Sequence, residues 1–120
     1  MIAGSSVSNN IGIGYQALYS NTASNNIAIG LQALYLNSSG TGNVALGYQS
    51  LDAVTTGYGN TGIGYSTLAS TTGYNNTAIG NNAGTIITTG NNNIALGAGV
   101  DIQTATASNQ LNIGNWIYGT

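Results

Sequence analysis

The stretch Asn43-Val44-Ala45-Leu46-Gly47-Tyr48-Gln49-Ser50-Leu51 contains the pattern that decides the fold. Its first five residues follow the order Asn, an apolar residue or Thr, Ala or Gly, Ile or Leu, and Gly, and this order recurs along the chain. The closing glycines follow one another at steps of 16 or 17 residues, and a fixed period of this kind is typical of a repeat architecture. They are Gly14, Gly30, Gly47, Gly64, Gly80, Gly97 and Gly114.

A repeat of this length is too short for a pair of helices, which takes about 33 residues or more. Short apolar segments bounded by Gly and Asn are typical of strands between turns. We therefore predict an all-β fold, a parallel β-solenoid or β-roll with one coil of 16–17 residues per repeat. Each coil has a main strand, a turn at the Gly, and a second apolar segment such as Tyr48-Gln49-Ser50-Leu51, which is either extended or a single helical turn.

The alternation within each main strand places its large and small residues on opposite faces. Such a narrow coil has room inside for small residues such as Ala28 and Ala45, although the opposite assignment stays open. A strand that is apolar on both faces is typically covered on both. We therefore predict a homo-oligomer, with a trimer favoured and stacking into filaments as a further possibility. The residues assigned to oligomer or core packing are Ile11, Ile13, Ile27, Ile29, Val44, Leu46, Ile63, Ile79, Ile94, Leu96 and Ile113.

Two polar columns accompany the strands, and we expect both to face outward. We expect the first to be a stacked amide ladder that serves the turns, formed by Asn10, Asn26, Asn43, Asn60, Asn76 and Asn93. The second lies four residues before each Asn, or before Gln110 in the last copy, and consists of Thr22, Ser39, Thr56, Thr72, Thr89 and Thr106. Turn chemistry explains these hydroxyls most simply. Contact with ice or with a glycan stays open for this Thr ladder.

The composition argues against catalysis. Only 2% of the residues are charged, the formal net charge is −2, and the chain has no Lys, Arg, His or Cys. Asp52 and Asp101 are its only acidic side chains, and they lie three coils apart. General acid–base chemistry, zinc binding and the neutralisation of nucleic-acid phosphates all lack their usual side chains. We predict a protein that is not an enzyme, has no cofactor or metal site, binds no nucleic acid and inserts in no membrane.

We divide the chain into three parts. Residues 1–9 are an N-terminal leader or the end of a preceding segment, residues 10–108 are the solenoid repeats, and residues 109–120 are a C-terminal capping repeat. The pattern loosens after Val100, and terminal repeats are usually atypical because they cap the stack. We expect Trp116, Ile117 and Tyr118 to plug the end of a three-chain core.

The motif Asn76-Thr77-Ala78-Ile79-Gly80, with a following segment such as Tyr15-Gln16-Ala17-Leu18, resembles the shaft repeats of phage tail fibres and tail spikes. It is also similar to the β-roll head of trimeric autotransporter adhesins, although those heads usually have shorter repeats and more charge. The ending, residues 111–120, resembles the stretch before an intramolecular chaperone domain of the endosialidase type. The resemblance covers residues 9–120 and implies a homotrimeric fibre whose chaperone is cleaved off after assembly.

These observations predict a structural protein, the rigid shaft or head of an extracellular trimeric fibre that supports host or surface attachment. Its location would be the virion tail fibre or the cell surface, and its partner a surface glycan or a protein receptor. The alternatives are a surface adhesin, an ice-binding solenoid that uses its Thr and Asn ladders, and a subunit of a self-assembling filament.

Overall fold

A computed structural model describes residues 7–114 of the chain, and these residues form one parallel β-solenoid of about six turns. Seven strands of three residues each stack in chain order into a single sheet. This confirms the predicted fold class. The strands are β1 (Ile11–Ile13), β2 (Ile27–Ile29), β3 (Val44–Leu46), β4 (Thr61–Ile63), β5 (Thr77–Ile79), β6 (Ile94–Leu96) and β7 (Leu111–Ile113).

Seven strands stacked at about 4.8 Å give the described residues the shape of a short rod, whose sheet is about 29 Å long along the solenoid axis. Trp116, Ile117 and Tyr118, which we expected to plug the core, lie outside the described residues, as do parts of the predicted leader and capping repeat.

The strands stay in register although the coils differ in length. Ala28 pairs with Ala45, and Ala45 pairs with Gly62, so the small central residues form one column. The extra residue of the longer coils lies in the polar turn that precedes each Asn. One residue separates the buried Asn21 and Ala23, whereas two separate the corresponding Asn37 and Gly40. A length change in this exposed turn therefore leaves the sheet undisturbed.

The central residue of each main strand points into the coil. Ala28, Ala45, Ala78 and Ala95 have no exposed surface, whereas the large residues on either side of them point outward and are exposed or partly buried. Of the two assignments that the sequence allows, the structure therefore has the small residues inside.

The second apolar segment is neither extended nor helical, so both conformations considered for it are wrong. In residues 30–37 the Ala33 amide donates to the Gly30 carbonyl and the Asn37 amide to the Leu34 carbonyl, at 3.4 Å each, which makes two successive β-turns. Gln32 and Leu34 have left-handed φ angles of 57° and 50°. That conformation is unfavourable for residues other than glycine. Hydrogen bonds to the neighbouring coils stabilise it, because Gln32 N donates to Tyr15 O at 2.9 Å and Leu34 N to Ser50 O at 3.1 Å.

This double turn supplies the large side chains of the core. Leu34, Leu51 and Leu68 are completely buried and stack from coil to coil. Gly84 takes the corresponding place in the next coil, and Ile87 is buried beside it. A Cβ atom on Gly84 would lie 3.3 Å from Ile87 Cδ1, so the isoleucine fills the space that a leucine would occupy.

Candidate functional site

The outward side chains of the seven strands form a surface that we call the strand face. It has two columns, which begin at Ile11 and Ile13, and twelve of its fourteen positions are aliphatic. Ile13 is 59% exposed, Leu46 42% and Ile79 41%. The remaining aliphatic members are Ile27, Ile29, Val44, Ile63, Ile94, Leu96, Leu111 and Ile113, and Thr61 and Thr77 complete the face.

The strand face contains all eleven residues that the sequence assigned to oligomer or core packing, so the structure brings them together on one side of the rod. None of them belongs to the buried core of this chain. Apolar patches of this continuity on a soluble protein typically mark a surface that contacts another molecule.

The predicted Asn ladder is present, but the expectation that it faces outward is wrong, because it lies inside the coil. The side chain of Asn43 accepts a hydrogen bond from the backbone amide of Asn60 through Oδ1 at 2.9 Å. Its Nδ2 group donates to the carbonyl of Gly57 at 2.8 Å. The same pair of bonds links each Asn of the ladder to the coil that follows. Five of the six members, all except Asn10, are completely buried, so this column has a structural role and is not available to a ligand.

The Thr ladder lies on the surface, and all six of its members are exposed. The Thr22 hydroxyl donates to the carbonyl of Ser38 in the next coil, and the Thr72 hydroxyl donates to that of Thr88 at 3.3 Å. Turn chemistry therefore accounts for these two hydroxyls, as the simplest interpretation predicted.

The structure also shows side-chain columns that the sequence analysis missed. Gln32 Nε2 donates to Gln16 Oε1 at 3.0 Å, and Gln49 Nε2 donates to Gln32 Oε1 at 2.9 Å. The rings of Tyr48 and Tyr65 stack at 4.9 Å between centroids, with 7° between their planes. Further stacked pairs are Tyr19 with Tyr35 and Tyr58 with Tyr74. These columns could have been predicted, because residues of the same type recur at the same position of successive repeats.

The two acidic side chains have different surroundings. Asp101 accepts hydrogen bonds from the Ile86 amide at 3.0 Å and from the Thr85 hydroxyl at 2.8 Å. Asp52 is partly buried, and this desolvation raises the pKa of its carboxyl above the ordinary value of 3.8. Within residues 7–114, no three His, Cys, Asp or Glu residues cluster as metal ligands would.

No family model, curated protein or solved structure matches this chain. Within its described part, no helix is long and apolar enough to cross a membrane.

Proposed function

We propose that the chain is a non-enzymatic shaft segment of an extracellular fibre of the phage tail-fibre type. In this assembly the strand faces of three copies pack together along a common axis. The observation that carries the proposal is the strand face itself, a continuous aliphatic surface along the length of the rod.

The interior of the single chain is complete without the strand face. Beyond the first coil the Ala and Leu columns are fully buried, and every buried side-chain N or O atom of the described residues has a hydrogen-bond partner. The outward Ile and Leu residues therefore contribute nothing to the core of their own coil. Their burial against further copies would gain about 25 cal/mol for each Å² of apolar surface removed from water.

The choice of three copies follows from the resemblance of the repeats to homotrimeric shafts. The near-absence of charge fits a packed fibre, because copies with so few charges approach one another without strong repulsion and their association depends little on salt. The surfaces away from the strand face, with the Thr ladder among them, would stay available for contact with a host receptor or a glycan.

Two isoleucines of equal exposure provide a matched test. Ile79 on the strand face and Ile86 on the double turn are each 41% exposed. We expect Ile79→Lys to dissociate the oligomer, because three unpaired ammonium groups would meet at the axis. Ile86→Lys should leave the mass of the particle unchanged. Sedimentation of both variants checks this, and an equal response of the two would contradict the assigned face.

A second candidate is an ice-binding solenoid, which the exposure of the whole Thr ladder favours. If ice is the ligand, the protein shows thermal hysteresis, and replacing Thr56, Thr72 and Thr89 by Tyr abolishes it. Absence of hysteresis in the unmodified protein excludes this function.

A further inference from the structure

The two ends of the solenoid differ in how completely they are covered. In the second coil Ala28, Ala33 and Leu34 have no exposed surface. Their counterparts in the first coil, Gly12, Ala17 and Leu18, are exposed or only partly buried. They line a recess of about 720 Å³ at the N-terminal end. Within residues 7–114, the first coil thus presents the same apolar interior as the others but has no neighbouring coil on one side.

The backbone at this end repeats the pattern of an internal coil edge. In the second coil the Gly30 amide donates to Ile13 O at 2.8 Å, and the Gln32 amide donates to Tyr15 O at 2.9 Å. Gly14 and Gln16 occupy these two positions in the first coil, where their amides face a side that no described coil occupies. Such an edge is a template for pairing with a further strand.

At the C-terminal end of the described residues, polar side chains take the inward positions, beside a recess of about 340 Å³. Gln110 takes the place of the ladder Asn, and its side chain accepts from Thr104 N at 3.0 Å and donates to Thr104 O at 2.8 Å. Asn112 takes the inward strand position, where its Nδ2 donates to the carbonyl of Asp101 at 2.6 Å. The Gln110 side chain therefore bonds within its own coil, and that of Asn112 bonds to the preceding coil.

We propose that the N-terminal end is a docking surface for one further coil of the same repeat. The ladder fixes what that coil must contain. An Asn at its ladder position would accept from the Asn10 amide through Oδ1 and donate to the Val7 carbonyl through Nδ2, as Asn10 itself does for Asn26 N and Ala23 O. A small residue at its strand centre and an inward Leu would cover Gly12 and Leu18.

This coil–coil interface continues the one that already repeats between successive strands of the chain. The C-terminal end of a second copy does not meet the requirement, because the Gln110 side chain is bonded within its own coil. The inference concerns the end of the rod and does not depend on the number of copies that share the strand face.

The test inserts a copy of residues 23–39 directly before Val7. The register is correct because Val7 precedes Asn10 by three residues, as Gly40 precedes Asn43. We expect hydrogen exchange at the Gly14 and Gln16 amides to slow at least about tenfold, since each amide gains a partner that must open before exchange. A scrambled insert of the same 17 residues is the control and should leave both rates unchanged.

Equal exchange rates with the repeat insert and the scrambled insert would overturn the proposal. Protection of the two amides that grows with the concentration of the unmodified protein would also overturn it, because a second copy would then be the occupant. The first result leaves the mass of the particle unchanged, and the second would raise that mass with protein concentration. Neither is a fall to the 12.0 kDa of one chain, so this test and that of the trimer fail independently.

Discussion

Gly62 and Thr67 share one volume inside the solenoid. A Cβ atom on Gly62 would lie 2.6 Å from Thr67 Oγ1 and 2.6 Å from Ser50 Oγ, and these two hydroxyls are themselves 2.6 Å apart. In the coil of β5 the strand centre is Ala78, and the facing position holds Ala83. At Gly62 the space that a methyl group would fill is taken by the two hydroxyl groups, as close packing of an interior requires.

Replacing Gly62 by Ala should destabilise the fold by about 1–3 kcal/mol, the usual cost of overpacking a core. In a Ser50→Ala, Thr67→Ala background the added methyl group has room, so most of that cost should disappear. Urea unfolding of the four combinations measures the coupling between the sites. An equal loss of stability in both backgrounds would show that the shared volume is not the cause.

Asn60 is a buried member of the ladder, and Asn60→Ala should be strongly destabilising. The substitution leaves the Asn76 amide and the Gly73 carbonyl without the partners that they have at 2.9 Å. An unsatisfied buried group costs about 1–3 kcal/mol, so two should cost about twice that. Thr56→Ala, on the exposed Thr ladder, is the matched control and should change the free energy of unfolding by less than about 0.5 kcal/mol.

The pKa of Asp52 predicts a specific pH dependence. Because burial raises this pKa in the folded state, the folded protein holds the proton to higher pH than the unfolded chain does. The contribution of Asp52 to stability is therefore fully present below the unfolded pKa and is lost as the pH rises through the folded pKa. Asp52→Asn should remove this dependence. At neutral pH it should raise the free energy of unfolding, because the amide avoids the desolvation cost of a partly buried carboxylate.

Asp101→Asn provides the contrast for that experiment. The Asp101 carboxylate accepts hydrogen bonds from Ile86 N and the Thr85 hydroxyl. An amide at this position is a weaker acceptor, so the substitution should lower the free energy of unfolding at neutral pH. Urea midpoints of both variants between pH 3 and pH 7 separate the two effects. A fall in stability on replacing Asp52 at neutral pH would contradict the desolvation argument.

Two leucines of one coil distinguish the core from the strand face. Leu51 is fully buried within the chain, so Leu51→Ala should cost about 2–5 kcal/mol at every protein concentration. Leu46 is 42% exposed in the single chain and buried only by association under the proposal. The effect of Leu46→Ala should therefore appear as a shift in the concentration dependence of the melting temperature. A concentration-independent loss at Leu46 would place its role within the chain.

Much of this fold could be predicted because period and alternation are local properties of the sequence. The spacing of Asn43, Gly47 and their counterparts predicts the coil and the parallel register, and the Asn column predicts an amide ladder but not its burial. The double turn could not be predicted, since the left-handed conformations of Gln32 and Leu34 oppose their intrinsic preferences. Hydrogen bonds between coils stabilise them, and such bonds are absent from any single repeat.

The sequence identified the residues of the strand face but did not decide whether they point into the coil or away from it. Alternation says that Ile27 and Ala28 point in opposite directions and leaves open which of them is inside. The width of the coil decides this, because Leu34 and its counterparts already fill the interior from the opposite segment. That these leucines point into the coil follows only from the conformation of the double turn, which the sequence did not predict.

The molar mass of the intact particle, measured by light scattering on a sizing column, tests the central claim most directly. Burial of the strand face by two further copies predicts a mass near 36 kDa, three times the 12.0 kDa of the chain. A stable particle of 12 kDa would leave the strand face exposed to water and would contradict the trimeric shaft.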